Sequence, residues 1–221
     1  MFKKLLSYFV PVTIEKRKSG VSKDLEVTWN NGELVLDSRN TNYSFGSLQR
    51  ILRRGLKEIG FGKVAVMDSI LVLGVAGGSV IRTLADEIKT SAHITGVDID
   101  PEVLELGRKY FGLGAIQNLE IVVADAFEYV LRTRKTYDLI IIDIFKDTEM
   151  PNFLFEYFFA SRVAEILTTG GYILFNTMTL NGDHDSRNAV YATHFNSEQF
   201  EVRLIPRVEQ HNELIVIHKK G

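Results

Sequence analysis

From Ser69 to Asn176 short apolar runs alternate with amphipathic segments, and this alternation limits the fold more than any other feature of the chain. Strand, helix, strand, helix in succession argues for a parallel sheet built from βαβ units. Ser69–Leu73 reads as a buried strand, His93–Val97 as a second and Leu119–Val123 as a third. Tyr137–Ile142 is a fourth, apolar enough to be covered on both faces. Val80, Leu84 and Ile88 share one face of the first intervening helix. Asp100-Pro101 opens the next, which carries Val103, Leu104 and Tyr110, with proline at the first helical position where its missing N–H does no harm. A long helix is expected over 153–168, ended by Gly170-Gly171, ahead of a fifth strand at Tyr172–Asn176. Another helix near 186–195 precedes Phe200–Ile205 and Glu213–His218, whose short connection implies an antiparallel hairpin.

The first part of the chain has a different pattern. Residues 12–38 alternate in a strand-like way around Asn30-Asn31-Gly32, and Asn-Gly between alternating runs signals a hairpin. At Ser47 the period becomes helical: Leu48, Ile51, Leu52, Leu56 and Ile59 lie on one face, and Gly60 offers a stop. With 221 residues, at roughly 100–200 per domain, the expected division is a small N-terminal β-hairpin unit with a linking helix over 1–62 and a Rossmann-like domain over 63–221.

Composition narrows the function classes. Lys+Arg 26 against Asp+Glu 28 gives a net charge of −2, which argues against general nucleic-acid binding and for a small-molecule partner. The absence of cysteine removes disulfides, thiolate metal sites and cysteine nucleophiles together. The opening MFKKLLSYFVPV is basic and then apolar, but Ser7 and Pro11 interrupt it and no cleavage site follows. No run approaches the ~18 apolar residues of a membrane span. The expectation is a cytoplasmic protein without a membrane role, a surface-docking N-terminus being the minor alternative.

Several strand ends carry candidate chemistry. The first strand passes into its helix through Gly74-Val75-Ala76-Gly77-Gly78, small residues that let backbone approach a ligand. The dinucleotide pattern G-x-G-x-x-G is not met, which disfavours a nicotinamide enzyme. Asp98 ends the second strand, where a carboxylate can accept the hydroxyls of a ribose. Asp100 is placed to cap the helix at Pro101. Asp125 follows the third strand and can cap a helix with one oxygen while offering the other to an exocyclic amine. Asp143 directly follows the fourth strand, at the carboxyl edge of the sheet, where partial burial would raise its pKa and suit it to accept a proton. Asp147 is either a partner for a cationic substrate or an exposed loop carboxylate.

With these elements in order, the stretch Ile70–Phe175 resembles an AdoMet-dependent class I methyltransferase core and, within that group, the spermidine synthase-like family. LVLGVAGG, GVDIDPEVLELGRKYFG, VVADAFEYV and YDLIIID carry the resemblance. It implies a mostly parallel seven-stranded sheet with helices on both faces and its last strand antiparallel, and it suggests a homodimer. It also implies S-adenosyl-L-methionine or its decarboxylated form over Gly74–Gly78, with ribose on Asp98, adenine near Asp125 and Ala126, Ile99 among the cofactor-binding residues, and Asp143 deprotonating an attacking amine. Two departures stand out. Gly77 occupies the position at which aminopropyltransferases carry an Asp for the donor's terminal amine, and DIFKD replaces the usual D-S-S-D-P. Methyl transfer to an unnamed acceptor is therefore the preferred expectation. Aminopropyl transfer from decarboxylated AdoMet and non-catalytic nucleoside binding are the alternatives.

The remaining candidates have weaker patterns. Tyr43 and Gln49 lie where the N-terminal unit would meet the pocket, as substrate-lining or merely structural residues. Asn181-Gly182-Asp183-His184-Asp185 reads as a solvated loop, with Asp185 capping a helix near Ser186. No histidines show metal-ligand spacing, and no metal is expected.

Overall fold

The computed structural model describes residues 2–38, 42–44, 47–145, 149–209 and 211–221. A short helix α1 (Phe2–Leu6) precedes β1 (Val12–Ser19), β2 (Lys23–Asn30), β3 (Glu33–Ser38) and β4 (Asn42–Ser44), an antiparallel sheet in the order β1-β2-β3-β4. The β2–β3 turn has Asn31 at φ 49° and Gly32 at φ 80°. Positive φ at both central residues matches the twist of the flanking strands, as the Asn-Gly pair predicts.

The second sheet contains β5 (Ser69–Leu73), β6 (His93–Asp98), β7 (Leu119–Val123), β8 (Tyr137–Ile142), β9 (Leu167–Met178), β10 (Phe200–Glu209) and β11 (Asn212–Lys219), in the order β10-β11-β9-β8-β5-β6-β7. Strands β7, β6, β5, β8 and β9 run parallel, and β11 lies antiparallel between β9 and β10. Alternate residues of the central strands feed two cores. Ile70, Val72, Leu139 and Ile141 pack on one face with α2 (Ser47–Ile59), α3 (Phe61–Ala65) and α4 (Ser79–Arg82), whose chain continues as a π-turn over Thr83–Ile88. Leu71, Leu73, Ile140 and Ile142 pack on the other with α6 (Ala126–Arg132), α7 (Tyr157–Glu165) and α8 (Gly182–Ala192). This is the doubly covered, mostly parallel sheet that the alternation predicts.

Helix α5 (Pro101–Tyr110) joins the two sheets. Val103, Leu106 and the following Phe111 form a third core with Leu25, Val27 and Leu36. At its start Asp100 Oδ1 accepts from the N–H groups of Glu102 and Val103, the expected cap, while Oδ2 accepts from Ser19 Oγ at 2.6 Å and from Ser22 Oγ. The N-terminal sheet is thus fastened beside the carboxyl end of β6.

Three local expectations are corrected. Residues 153–168 do not form one helix: a 3-10 turn (Asn152–Phe155) and α7 are separated by an extended Glu156, φ −73° and ψ 139°. Gly170-Gly171 do not stop a helix but lie inside β9, where Tyr137 pairs with Leu167 and Leu139 with Tyr172, so the longer strand bulges. Helix α8 begins at Gly182, because Asn181 Oδ1 accepts from His184 N at 3.0 Å. Asp183 and Asp185 are therefore first-turn residues, not a loop and a cap.

Candidate active site

The carboxyl ends of β5, β6, β7 and β8 collect the strand-end residues at one edge of the sheet, where open α/β folds bind ligands. Gly74 leaves β5 at φ 88°, and a Cβ there would collide with the Asp143 carbonyl oxygen. Ala76 follows at φ 48°, a left-handed backbone that non-glycine residues seldom adopt and that recurs at ligand-binding turns. Gly78, at φ 87°, begins α4, and any side chain on it would strike Leu113. The buried Gly77 between them presents no carboxylate.

Asp98 holds this turn in shape. Its Oδ2 accepts from Val75 N and Ala76 N, both at 2.9 Å, and its Oδ1 accepts from Asp100 N at 3.0 Å. Burial nonetheless raises its pKa, against the three N–H groups that lower it. Three of the carboxylate's roughly four lone-pair sites are occupied, so Oδ1 retains room for one further donor. The sequence-level expectation assigned it both ribose hydroxyls and did not include this backbone task.

Asp125 caps α6 through Oδ1, which accepts from Phe127 N at 2.8 Å and Glu128 N at 3.2 Å. Its Oδ2 has no hydrogen-bond donor among the described residues, and Ala126 is the first residue of the helix. Ile99 directly follows Asp98 and is 49% exposed, an apolar side chain at the rim of the crevice.

Asp143 follows β8, and its backbone N–H bonds Leu73 O at 2.9 Å. Its Oδ1 accepts from Asn176 Nδ2 at 2.9 Å. Burial pushes the carboxyl up to about 6, with the Asn176 hydrogen bond pulling the other way. A group that titrates there exchanges protons near neutral pH, as a general base must. Asn176 was missed by the sequence reading, as was Asn212, which donates from Nδ2 to Asn176 Oδ1 at 3.0 Å.

The other candidates are less closely tied to this edge. Gln49 is half-buried near the start of α2, and no hydrogen bond joins it to the strand-end carboxylates among the described residues. Tyr43 belongs to β4, and Asp147 lies outside the described residues. No group of three or more His, Asp or Glu residues among the described residues is arranged to hold a metal. No described helix is long and apolar enough to cross a membrane.

A glycine turn held by the acid of the next strand, a capping acid after the third and a raised-pKa acid after the fourth stand at the ligand-binding edge of a Rossmann-like sheet of the class I methyltransferase type. The Spermine/spermidine synthase domain matches residues 56–209, and the chain belongs to that family. It is 30% identical over 131 residues to a polyamine aminopropyltransferase of Vibrio vulnificus, a match covering 58% of this chain and 44% of the relative. It is also 30% identical over 120 residues to the human eEF1A lysine and N-terminal methyltransferase, covering 49% of this chain and 17% of that one. The matches thus span less than half the length of these curated relatives. A probable spermidine synthase from Corynebacterium glutamicum has the same fold, with a TM-score of 0.70 at 18% identity over 94% of this chain and 79% of that one.

Proposed function

We propose that the chain transfers an aminopropyl group from decarboxylated AdoMet to an amine. The family match and the aminopropyltransferase relative favour this over the methyl transfer preferred from the motif departures. The observation that carries the reading is the half-buried Asp143, whose backbone packs against the glycine turn and whose carboxylate Asn176 holds by one oxygen.

The residues present fit a sulfonium nucleoside. Asp98, whose Oδ1 has one lone-pair site left, would hold one ribose hydroxyl, the exposed Ile99 would lie against the adenine, and Asp125, which caps its helix through Oδ1, would offer Oδ2 to the exocyclic amine. When bound, the donor supplies a carbon activated by sulfonium, whose departure as a thioether accompanies attack. An ammonium has no lone pair, so Asp143 in its ionised form takes the proton from the acceptor nitrogen. Asn176 holds Oδ1 and leaves Oδ2 for that proton.

A specific observation supports methyl transfer from AdoMet as the second reading. Gly77 offers the donor's amine no carboxylate, a charge-assisted contact worth about 1.5–3 kcal/mol. Incubation of the purified chain with each donor and a panel of primary amines, followed by chromatography, separates the two. Methylthioadenosine from decarboxylated AdoMet is the expected product; S-adenosylhomocysteine from AdoMet would favour methyl transfer. Failure of both donors to bind in calorimetry would remove the donor assignment.

A further inference from the structure

Asn176, Thr177, Asn212, Glu213 and Asn188 are all buried polar residues where the end of β9 meets the start of β11. Burying such groups is costly unless each finds a partner, and here they divide into two sets. Thr177 and Glu213 alternate onto the face packed by α8, where Asn188 Nδ2 donates to Thr177 Oγ1 at 2.8 Å and to Glu213 Oε1 at 3.1 Å. Asn176 and Asn212 share the opposite face with Leu174 and Leu214. There the chain of donors runs one way, from Asn212 Nδ2 to Asn176 Oδ1 and from Asn176 Nδ2 to Asp143 Oδ1.

An amide can present either its oxygen or its NH2 to a neighbour, and the two choices favour opposite states of a carboxyl group. NH2 stabilises the carboxylate; oxygen stabilises the protonated acid. With Asn212 donating to its oxygen, Asn176 can offer Asp143 only NH2. We propose that Asn212 is a positioning residue for the candidate base: by fixing the Asn176 amide, it holds Asp143 Oδ1 and keeps the carboxylate ready to take a proton on Oδ2. The inference deepens the reading of Asp143 as proton acceptor and rests on it. No charged side chain hydrogen bonds or ion-pairs with Asp143 among the described residues. Glu213 faces the other side of the sheet and Asp98 is turned to the β5–α4 amides, so among the described residues the asparagine chain is the polar control on this carboxyl.

The test is a carbon-13 NMR titration of protein labelled at the aspartate carboxyl carbons, with the Asp143 signal assigned by its loss in Asp143→Asn. Asn212→Ala and Asn212→Leu, checked for folding by thermal unfolding, free the Asn176 amide to turn and are expected to raise the Asp143 midpoint by about one pH unit. Asn176→Leu is expected to raise it at least as far. A midpoint that moves in Asn176→Leu but stays put in both Asn212 variants overturns the proposal, because Asn176 then needs no support. The underlying reading fails separately: if Asp143→Asn retains turnover, Asp143 is not the base, whatever the titration shows.

Discussion

The carbonyl oxygen of Asp143 fills the space in which Gly74 would carry a Cβ. The two residues end adjacent parallel strands, and Asp143 N is bonded to Leu73 O while Gly74 N is bonded to Val97 O. The turn proposed to cradle the donor and the carboxylate proposed to take the acceptor's proton are therefore in direct backbone contact. A change in one displaces the other.

Gly74→Ala should consequently cost more than a glycine substitution elsewhere. The left-handed φ of 88° costs alanine about 1–2 kcal/mol, and the backbone collision adds to it. Urea unfolding is expected to show a loss above about 2 kcal/mol. Gly62→Ala in α3, where the new Cβ meets nothing within 4 Å, should be neutral or stabilising by up to about 1 kcal/mol.

The raised pKa of Asp143 gives opposite pH dependences for activity and stability. Only the ionised form accepts a proton, so turnover should rise from pH 5 to pH 7 with its half-point at about 6. For stability, the folded pKa lies above the ordinary carboxyl value of 3.8, so between those values the folded state binds more protons than the unfolded one. Stability from this group falls as pH rises through that window, by about 2–3 kcal/mol, and is constant above it. Asp143→Asn should lack this slope. The difference between the two proteins' unfolding free energies at pH 4 and pH 7 is the measurement, and parallel profiles would contradict the assignment.

The strands that build this edge were legible because each combines a short apolar run with a turn signal. Ser69–Leu73, Leu119–Val123 and Tyr137–Ile142 fall where the pattern places them. The strand-end acids were legible for the same reason: a carboxylate after a buried strand has one place to go. Asn176 and Asn212 were not, since asparagine in a strand carries no local mark of its partner, and the hydrogen bond between them spans 36 residues. Gly170-Gly171 misled for a different reason. Paired glycines read as a helix stop, while the bulge they lie in depends on β8 alongside. The second oxygen of Asp98 was misread because the backbone N–H groups of Val75 and Ala76, which claim it, are invisible to residue type.

Glu15 predicts how the N-terminal sheet detaches in acid. It accepts from Arg17 Nη2 at 2.7 Å, Lys109 Nζ at 2.6 Å and the Tyr110 hydroxyl, fastening β1 to α5. Its carboxyl is lowered from 4.5 to about 2, first by Lys109 and then by Tyr110. Because the folded pKa is depressed, the stabilisation is complete above about 4.5 and is lost as pH falls towards 2. Solvent screening limits it to at most about 1 kcal/mol. Trp29 in β2 is the chain's single tryptophan and reports on this sheet alone. Its fluorescence should change over that acid window, and Glu15→Gln should weaken the pH dependence.

Asp98→Asn separates ligand binding from turn support. The amide retains one oxygen, so one pair of contacts survives: either the Val75 and Ala76 amides keep their acceptor or Asp100 N and a ribose hydroxyl do. The stronger demand is the pair of loop N–H groups, which have no other side-chain acceptor among the described residues, and the amide oxygen should turn to them. That sets NH2 against Asp100 N and the hydroxyl, turning an attraction into a donor–donor contact. The fold should persist with a loss of about 1–2 kcal/mol, and donor affinity should fall at least tenfold, since about 1.4 kcal/mol is a factor of ten and a charge-assisted contact typically exceeds it. Calorimetry with methylthioadenosine, which carries the ribose and adenine but neither the sulfonium nor the aminopropyl group, is the cleanest measurement. Unchanged affinity would assign Asp98 to the turn alone and remove the ribose from its role.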